Sequence, residues 1–167
     1  MNKKLVEVTL MGLILDPISK SPVMIIKPVE EKFEKVLPIW IGMNEAAIIT
    51  NEIENVISPR PMVHDLLGKL MDRFNGELEK VIINDIVDNT YFAELYVKNG
   101  KNTEIFDCRP SDAVALALKK QSRIFITDKV YNNFDRSGIY PELIYGEERI
   151  ERWFNSINSE DLNEIEQ

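Results

Sequence analysis

The stretch LEKVIINDIVDNTYFAELYVKNGKNTEIFDC, residues 78–108, decides the fold. It contains three segments in which apolar and polar residues alternate, as in strands with one buried face. The dipeptides Asp88-Asn89 and Asn99-Gly100 separate these segments and favour tight hairpin turns. We therefore predict three consecutive antiparallel strands, at residues 78–87, 90–98 and 103–108.

The same patterns predict further elements on both sides of this stretch. Three earlier strands are expected at residues 5–15, 23–27 and 36–41, followed by helices at 44–56 and around 66–74. A helix at 112–120, a strand at 124–126 and a terminal amphipathic helix at 147–157 complete the chain, with an irregular segment at 128–145. The order βββ-α-α-βββ-α-β-α does not alternate as a doubly wound sheet does. We predict an α+β fold with a mixed, strongly bent, roll-like sheet and packed helices.

The chain has 167 residues and a net charge of −8, and its charge is unevenly distributed. Eight acidic residues and two arginines follow position 141, so that segment carries −6 and the rest of the chain −2. A body this close to neutral neither favours nor excludes nucleic acid as a partner. We predict one domain at residues 1–140 and an acidic helical tail at residues 141–167.

The N-terminal segment has no sign of export. No apolar run approaches the roughly 18 residues that a membrane span requires, and residues 5–9 alternate where a signal peptide would be continuously apolar. The one cysteine, Cys108, has no partner for an intrachain disulfide, which agrees with a reducing compartment. A cytoplasmic protein that does not enter a membrane is expected.

The first cluster of candidate site residues is Asp107-Cys108-Arg109-Pro110-Ser111-Asp112, where a predicted strand meets a predicted helix. Asp107 and Arg109 share one face of the strand because side chains alternate. Ser111 and Asp112 lie at the helix start, where such residues often act only as caps or as favourable charges. Acidic and basic groups at a helix N-terminus also suit a metal ion or a phosphate. We take Asp107, Arg109 and Asp112 as candidate catalytic residues and Ser111 as a candidate substrate-binding residue.

The second cluster is Arg60-Pro61-Met62-Val63-His64-Asp65. His64 is the only histidine, so any histidine-based acid–base catalysis must use it. His64 and Asp65 are candidate catalytic residues, and Arg60 is a candidate substrate-binding residue. The alternative is structural, with His64 bonded to the backbone and Asp65 favouring a helix N-terminus.

Carboxylates from distant segments are candidates for metal binding. Glu45 begins the predicted first helix, and together with Asp107 and Asp112 it offers the oxygen ligands that Mg²⁺ or Mn²⁺ prefers. The chain contains no Walker loop, HExxH, CxxC or GxSxG motif. Any metal site would therefore be assembled by the fold.

Three further features have simpler explanations. Cys108 is expected to be a small core residue and not a nucleophile. Trp40 is expected in the core, and Lys119, Lys120 and Arg123 are expected to form a solvated helix end.

These motifs resemble the bifunctional nuclease domain family, long catalogued as a domain of unknown function, over roughly residues 5–130. The resemblance rests on three segments in the family's order and spacing: Leu37-Pro38-Ile39-Trp40-Ile41-Gly42 with Glu45-Ala46, Arg60-Pro61 with His64-Asp65-Leu66-Leu67, and Asp107-Cys108-Arg109-Pro110-Ser111-Asp112-Ala113. It implies an α+β roll and cleavage of both DNA and RNA.

Two hypotheses follow for the function. The first is metal-assisted hydrolysis of phosphodiester bonds in DNA and RNA, which requires nucleic acid as a partner and Mg²⁺ or Mn²⁺ as a cofactor. The second is a non-catalytic module that binds a small anion or forms a homo-oligomer.

Overall fold

The computed structural model describes residues 4–133, apart from positions 17 and 34. Within these residues the chain forms seven strands and four helices in the order βββ-αα-βββ-α-β-α. The strands are β1 (Leu5–Leu15), β2 (Pro22–Pro28), β3 (Leu37–Trp40), β4 (Gly76–Val87), β5 (Thr90–Asn99), β6 (Asn102–Cys108) and β7 (Arg123–Thr127). The helices are α1 (Met43–Ile53), α2 (Val63–Arg73), α3 (Pro110–Lys120) and α4 (Asp128–Asn133).

The predicted order of elements is confirmed up to β7. Helix α4 lies in the segment 128–145 that was expected to be irregular, so that expectation is wrong for residues 128–133, and residues 134–145 lie outside the described part of the chain. The predicted helix at 147–157, and with it the acidic tail at 141–167, lies outside the described residues. None of the helices in the described part of the chain is both long and apolar enough to cross a membrane.

All seven strands belong to one mixed sheet with the order β3-β2-β1-β7-β4-β5-β6. Strand β7 pairs antiparallel with β1 and parallel with β4, so it joins two three-stranded antiparallel units. The predicted α+β class and mixed sheet are confirmed. The prediction of a strongly bent, roll-like sheet is wrong, because β7 occupies the centre and the edge strands β3 and β6 lie at opposite ends of the sheet.

The two predicted hairpin turns within residues 78–108 are confirmed. Asp88 and Asn89 both have positive φ angles, 47° and 58°, between β4 and β5. Gly100 has φ 61° between β5 and β6. Left-handed backbone at these positions matches the right-handed twist of the flanking strands, and Asn and Gly tolerate it most easily.

Helix α3 is buried nearly all round. Its residues from Ala113 to Ala117 are at most 1% exposed, and the helix contacts α1, α2, β4 and β5. A helix that is apolar on every side must be enclosed, and its small alanines allow close approach of its neighbours. Because α3 begins directly after β6, its buried position determines where Arg109, Ser111 and Asp112 lie.

Substitution of a core residue tests this arrangement. Ile83 on β4 is 0% exposed, so Ile83→Ala should lower the free energy of unfolding by about 2–5 kcal/mol in a urea titration. Ile105 on the edge strand β6 is 54% exposed, and Ile105→Ala should change that energy by less than about 0.5 kcal/mol. Equal losses for the two variants would contradict the described core.

Candidate functional site

Arg109 is the centre of the candidate site. It immediately precedes α3, and its Nε donates to Asp112 Oδ2 at 2.7 Å while its Nη2 donates to Asp112 Oδ1 at 3.1 Å. Its Nη1 donates to Glu45 Oε1 at 2.6 Å. These bonds raise the pKa of Arg109 above its ordinary value, with the Asp112 bond as the largest cause. The guanidinium therefore joins the starts of α1 and α3 and remains charged.

His64 extends this network into α2. Its Nε2 lies 3.3 Å from Asp112 Oδ1, and the residue is only 8% exposed. Its Nδ1 is buried and has no hydrogen-bond partner among the described residues. Nδ1 is thus turned away from bulk water, and the Nε2 side of the ring packs against Asp112 in this conformation. The predicted acid–base role stays a prediction.

An acidic residue occupies the third position of three helices: Glu45 in α1, Asp65 in α2 and Asp112 in α3. A negative charge there compensates the partial positive charge of the helix N-terminus. In α1 this arrangement depends on Gly42, because a Cβ at that position would collide with the Glu45 carboxylate. Helix-start electrostatics therefore account for three of the four carboxylates that the sequence singled out.

Asp65 belongs to a separate ion-pair network. Lys119 Nζ lies 2.6 Å from Asp65 Oδ1 and 2.6 Å from Glu52 Oε1, so it connects α3 to both α1 and α2. Asp65 Oδ2 also accepts a hydrogen bond from the Met62 backbone N–H. The expectation that Lys119 is a solvated helix end is wrong, since it is largely enclosed between two carboxylates. Sequence reasoning missed this link because its partners are 54 and 67 positions away.

The remaining predicted site residues lie at different distances from the network. Asp107 is exposed near Arg109, and its side chain makes no hydrogen bond or ion pair with the described residues, although its backbone pairs with β5. Ser111 is buried beside Arg109. Arg60 is exposed and borders neither of the two cavities at Arg109. The structure thus groups Glu45, His64, Arg109 and Asp112 directly.

The first of these cavities is a groove between α2 and the β5–β6 edge of the sheet, with a volume of about 710 Å³. Most of its lining is apolar and comes from Val63, Leu67, Leu70, Met71, Phe74, Leu95, Val97 and Phe106. One end is polar, where His64, Asp107, Cys108, Arg109 and Asp112 meet. Phe74 and Phe106 are both more than half exposed, so the groove presents aromatic surface to solvent.

The second cavity, which we call the β3 pocket, lies on another side of Arg109 and has a volume of about 530 Å³. It is lined by Ser21, Ile39, Trp40, Ile41, Gly42, Glu45, Asn89, Thr90, Tyr91, Arg109, Pro110 and Ser111. The expectation that Trp40 is a core residue is wrong. Its side chain is 41% exposed, and its Nε1 donates to Asp16 Oδ2 at 3.1 Å. The residue occupies the last position of an edge strand, where the sheet no longer covers it.

Cys108 is an unreactive thiol in this setting. Burial, followed by the nearby carboxylates of Asp112, Asp107 and Glu94, raises its pKa to about 12. Its Sγ lies 3.6 Å from the Ala93 carbonyl oxygen. The thiolate needed for nucleophilic chemistry is therefore scarce near neutral pH, in agreement with the structural role expected for Cys108.

The predicted ligand set of Glu45, Asp107 and Asp112 does not form a ready-made metal cage. No group of three or more His, Cys, Asp and Glu side chains in the described ranges is arranged to hold a metal ion. Arg109 lies between Glu45 and Asp112 and forms an ion pair with each, so oxygens of both carboxylates are already engaged. Of these three carboxylates, Asp107 alone makes no ion pair with a cation in the described part of the chain.

Comparison with known proteins assigns this chain to a family. A profile of the bifunctional nuclease domain matches residues 24–137, which is more than half of the chain. The chain belongs to the bifunctional nuclease domain family. The matched range includes all three motifs that carry the resemblance, together with the Arg109 network.

The share of a relative's length that aligns with this chain differs among members of the bifunctional nuclease domain family. An uncharacterized protein of Mycobacterium tuberculosis is 35% identical over 124 residues, which cover 74% of this chain and 73% of that protein. Bifunctional nuclease 2 of Oryza sativa subsp. japonica is 32% identical over 106 residues, or 62% of this chain and 33% of that protein. Bifunctional nuclease 1 of Arabidopsis thaliana is 28% identical over 101 residues, or 59% of this chain and 31% of that protein. The chain thus matches about a third of each of these two plant proteins.

The Asp65 network predicts a pH-dependent contribution to stability. The Lys119 bond, then the Met62 bond, lowers the pKa of Asp65 below its ordinary 3.8. Stability from a lowered carboxyl pKa is present above pH 3.8 and is lost as pH falls through the folded-state value. Asp65→Ala should therefore lower the free energy of unfolding by about 1–2 kcal/mol at pH 7. The difference in this free energy between parent and variant should become smaller below about pH 4. Urea unfolding at several pH values measures this difference. A difference that stays constant down to about pH 2.5 would contradict the stabilising role of the Asp65 carboxylate.

Proposed function

We propose that this protein binds single-stranded nucleic acid in the groove and cleaves its phosphodiester bonds at the polar end of the groove. The observation that carries this proposal is the position of Arg109, a fixed cation where an apolar, aromatic groove meets an exposed carboxylate. Membership of a family with relatives named bifunctional nucleases supports nuclease activity. DNA and RNA are the two substrates implied by the resemblance of the sequence motifs.

Arg109 is suited to bind the phosphate that is cut. Three of its five N–H groups are used by Asp112 and Glu45, which leaves two for phosphate oxygens. Its side chain is 65% exposed, so a ligand can reach it. Because the guanidinium is already held by two carboxylates, little of its conformational freedom is lost when a phosphate binds.

Asp107 would supply the second function, next to the bound phosphate. Its free carboxylate is suited to accept a proton from an attacking water. The same carboxylate, together with phosphate oxygens of the substrate, is the kind of ligand set by which Mg²⁺ or Mn²⁺ is often held. Such an ion would polarise the phosphate and acidify a bound water.

The groove itself would hold the nucleotides that flank the cleaved bond. Helix α2 has 11 residues, so the groove wall is about 16 Å long. Phe74 and Phe106 provide faces on which unpaired bases stack, an interaction that tolerates any sequence. Lys69 and Arg73 on α2 are exposed and directly precede the groove residues Leu70 and Phe74 in the sequence. They are therefore placed to meet backbone phosphates.

Cleavage assays on purified protein test this proposal. Labelled single-stranded DNA and RNA should be cut in a panel of divalent cations, with Mg²⁺ or Mn²⁺ supporting the reaction. Asp107→Asn should reduce kcat/KM by about 100-fold or more, because it removes the proton acceptor and the free carboxylate. Arg109→Met should reduce it by a similar factor through loss of the phosphate contact.

Asp88→Asn is the matched control, because Asp88 is an exposed turn residue that borders neither cavity and Asn tolerates its positive φ. It should leave the rate unchanged. Absence of cleavage with every cation and substrate, in protein whose unfolding transition is intact, would reject the nuclease proposal. Activity that persists in EDTA would reject the metal requirement alone.

The groove also favours a second candidate function, the homo-oligomeric module. Val63, Leu66 and Leu70 on α2 and Phe74 just after it are all at least 45% exposed. The outer edge of β6 has no strand partner in the described sheet. Exposed apolar surface next to an unpaired edge strand is typical of a surface that pairs with another chain. A second copy of this chain would cover both features.

Measurement of mass in solution separates these two candidates. If the groove is an interface between copies, Leu70→Glu should convert an oligomer to a monomer in light scattering, because it places a charge in the contact. Ile57→Glu is the control, since Ile57 is 93% exposed and lies outside the groove. A parent protein that is monomeric at all concentrations would eliminate the oligomeric module.

A further inference from the structure

We propose that the β3 pocket is a binding site for a single nucleotide, with the phosphate at Ser111 and Arg109 and the base against Trp40. This site goes beyond the proposed function, because a nucleotide would bind there whether or not the protein cleaves a strand in the groove. The ligand class is a mononucleotide, which combines an anion with an aromatic ring.

The Ser111 hydroxyl is the observation that points to a ligand. Ser111 is only 6% exposed, and within the described residues its side chain makes no hydrogen bond. Its Oγ is not among the fully enclosed polar atoms that lack a partner, so the small accessible part of the residue includes this oxygen. Because Ser111 lines the β3 pocket, the hydroxyl is available to a molecule in that cavity. The hydroxyl makes no hydrogen bond with the described residues, so it can donate to an acceptor oxygen of a molecule bound in the pocket.

The start of α3 adds further donors at the same place. Ser111 is the second residue of α3, where a backbone N–H has no carbonyl partner within the helix. Arg109 lines the pocket as well and retains two unused N–H groups. A hydroxyl, a free helix N–H and a guanidinium together form a donor set suited to phosphate oxygens.

The aromatic side of the pocket favours a nucleotide over a bare anion. Trp40 offers an exposed indole whose orientation is set by its bond to Asp16, and Tyr91 also lines the cavity. Glu45 and Asp112 place two negative charges against the single positive charge of Arg109. A phosphate there would therefore be held by hydrogen bonds to the remaining N–H groups and gain little from net charge attraction. Stacking of a base on Trp40 would supply the missing affinity. The volume of about 530 Å³ lies within the range of small-molecule sites.

Tryptophan fluorescence provides a direct test in the full-length chain. The chain has two tryptophans, Trp40 and Trp153, so Trp153→Phe leaves Trp40 as the one indole that reports. Titration with AMP or dTMP, without divalent cations, should change the emission of Trp40 in a saturable way. Inorganic phosphate and adenosine, which each carry half of the ligand, should bind at least tenfold more weakly.

Ser111→Ala in the same background should weaken AMP binding by about tenfold or more, because it removes one bond to a charged oxygen. Ser58→Ala, outside both cavities, is the control and should bind as the parent does. Isothermal titration calorimetry on the unmutated protein measures the affinity for AMP independently of fluorescence.

No saturable signal or heat up to about 10 mM nucleotide, ten times the weakest affinity common for enzyme substrates, would overturn the site. Equal affinities for phosphate and AMP would overturn the role of Trp40, and an unchanged affinity in Ser111→Ala would overturn the role of α3. Since binding is measured without cleavage, these results remain separate from the outcome of the nuclease assays.

Discussion

Enclosure of helix α3 between the sheet and helices α1 and α2 is the constraint on which the rest of the structure depends. From Ala113 to Ala117 the helix has no solvent-facing side, so its axis and its first residue have little freedom to move. Arg109 precedes that first turn directly and ends the connection from β6. Burial of the apolar helix α3 thereby determines where the charged side chain of Arg109 reaches the surface.

The charges around α3 show how stability and function share the same residues. Glu45, Asp65 and Asp112 each compensate a helix N-terminus, and Arg109 and Lys119 then join these carboxylates across helices. The Arg109 pairs are largely exposed to solvent, and such pairs contribute little energy individually. Their main effect is orientation, since Arg109 is held by Asp112 and Glu45 at a position where a groove and a pocket both reach it.

The two cavities differ in chemistry although Arg109 borders both. The groove is long and mostly apolar, with Phe74 and Phe106 on its walls and Asp107 at its polar end. The β3 pocket is smaller and combines Trp40 with the donors of α3. An extended chain suits the first shape and a single small molecule suits the second. A guanidinium between them can bind a phosphate that belongs to either.

Local patterns in the sequence determined most of the elements. Alternation and the Asp88-Asn89 and Asn99-Gly100 turns were sufficient for β4 to β6, because strand periodicity and left-handed turn residues act over a few positions. The α+β class followed from the order of those elements. The acidic helix starts at Glu45, Asp65 and Asp112 were equally local, and their simpler interpretation is the one that the geometry matches.

Tertiary structure alone decided the rest. The central position of β7, which keeps the sheet open, arises from pairing between segments more than 100 residues apart. The ion pair of Arg109 with Glu45 joins residues 64 positions apart, and that of Lys119 with Glu52 joins residues 67 positions apart. No local sequence pattern predicts either ion pair. Trp40 was wrongly predicted to be a core residue. The alternation of residues along a strand indicates which face is apolar, but it does not indicate where the sheet ends. Contacts of this range depend on how whole elements pack, which is information that no short stretch of the chain contains.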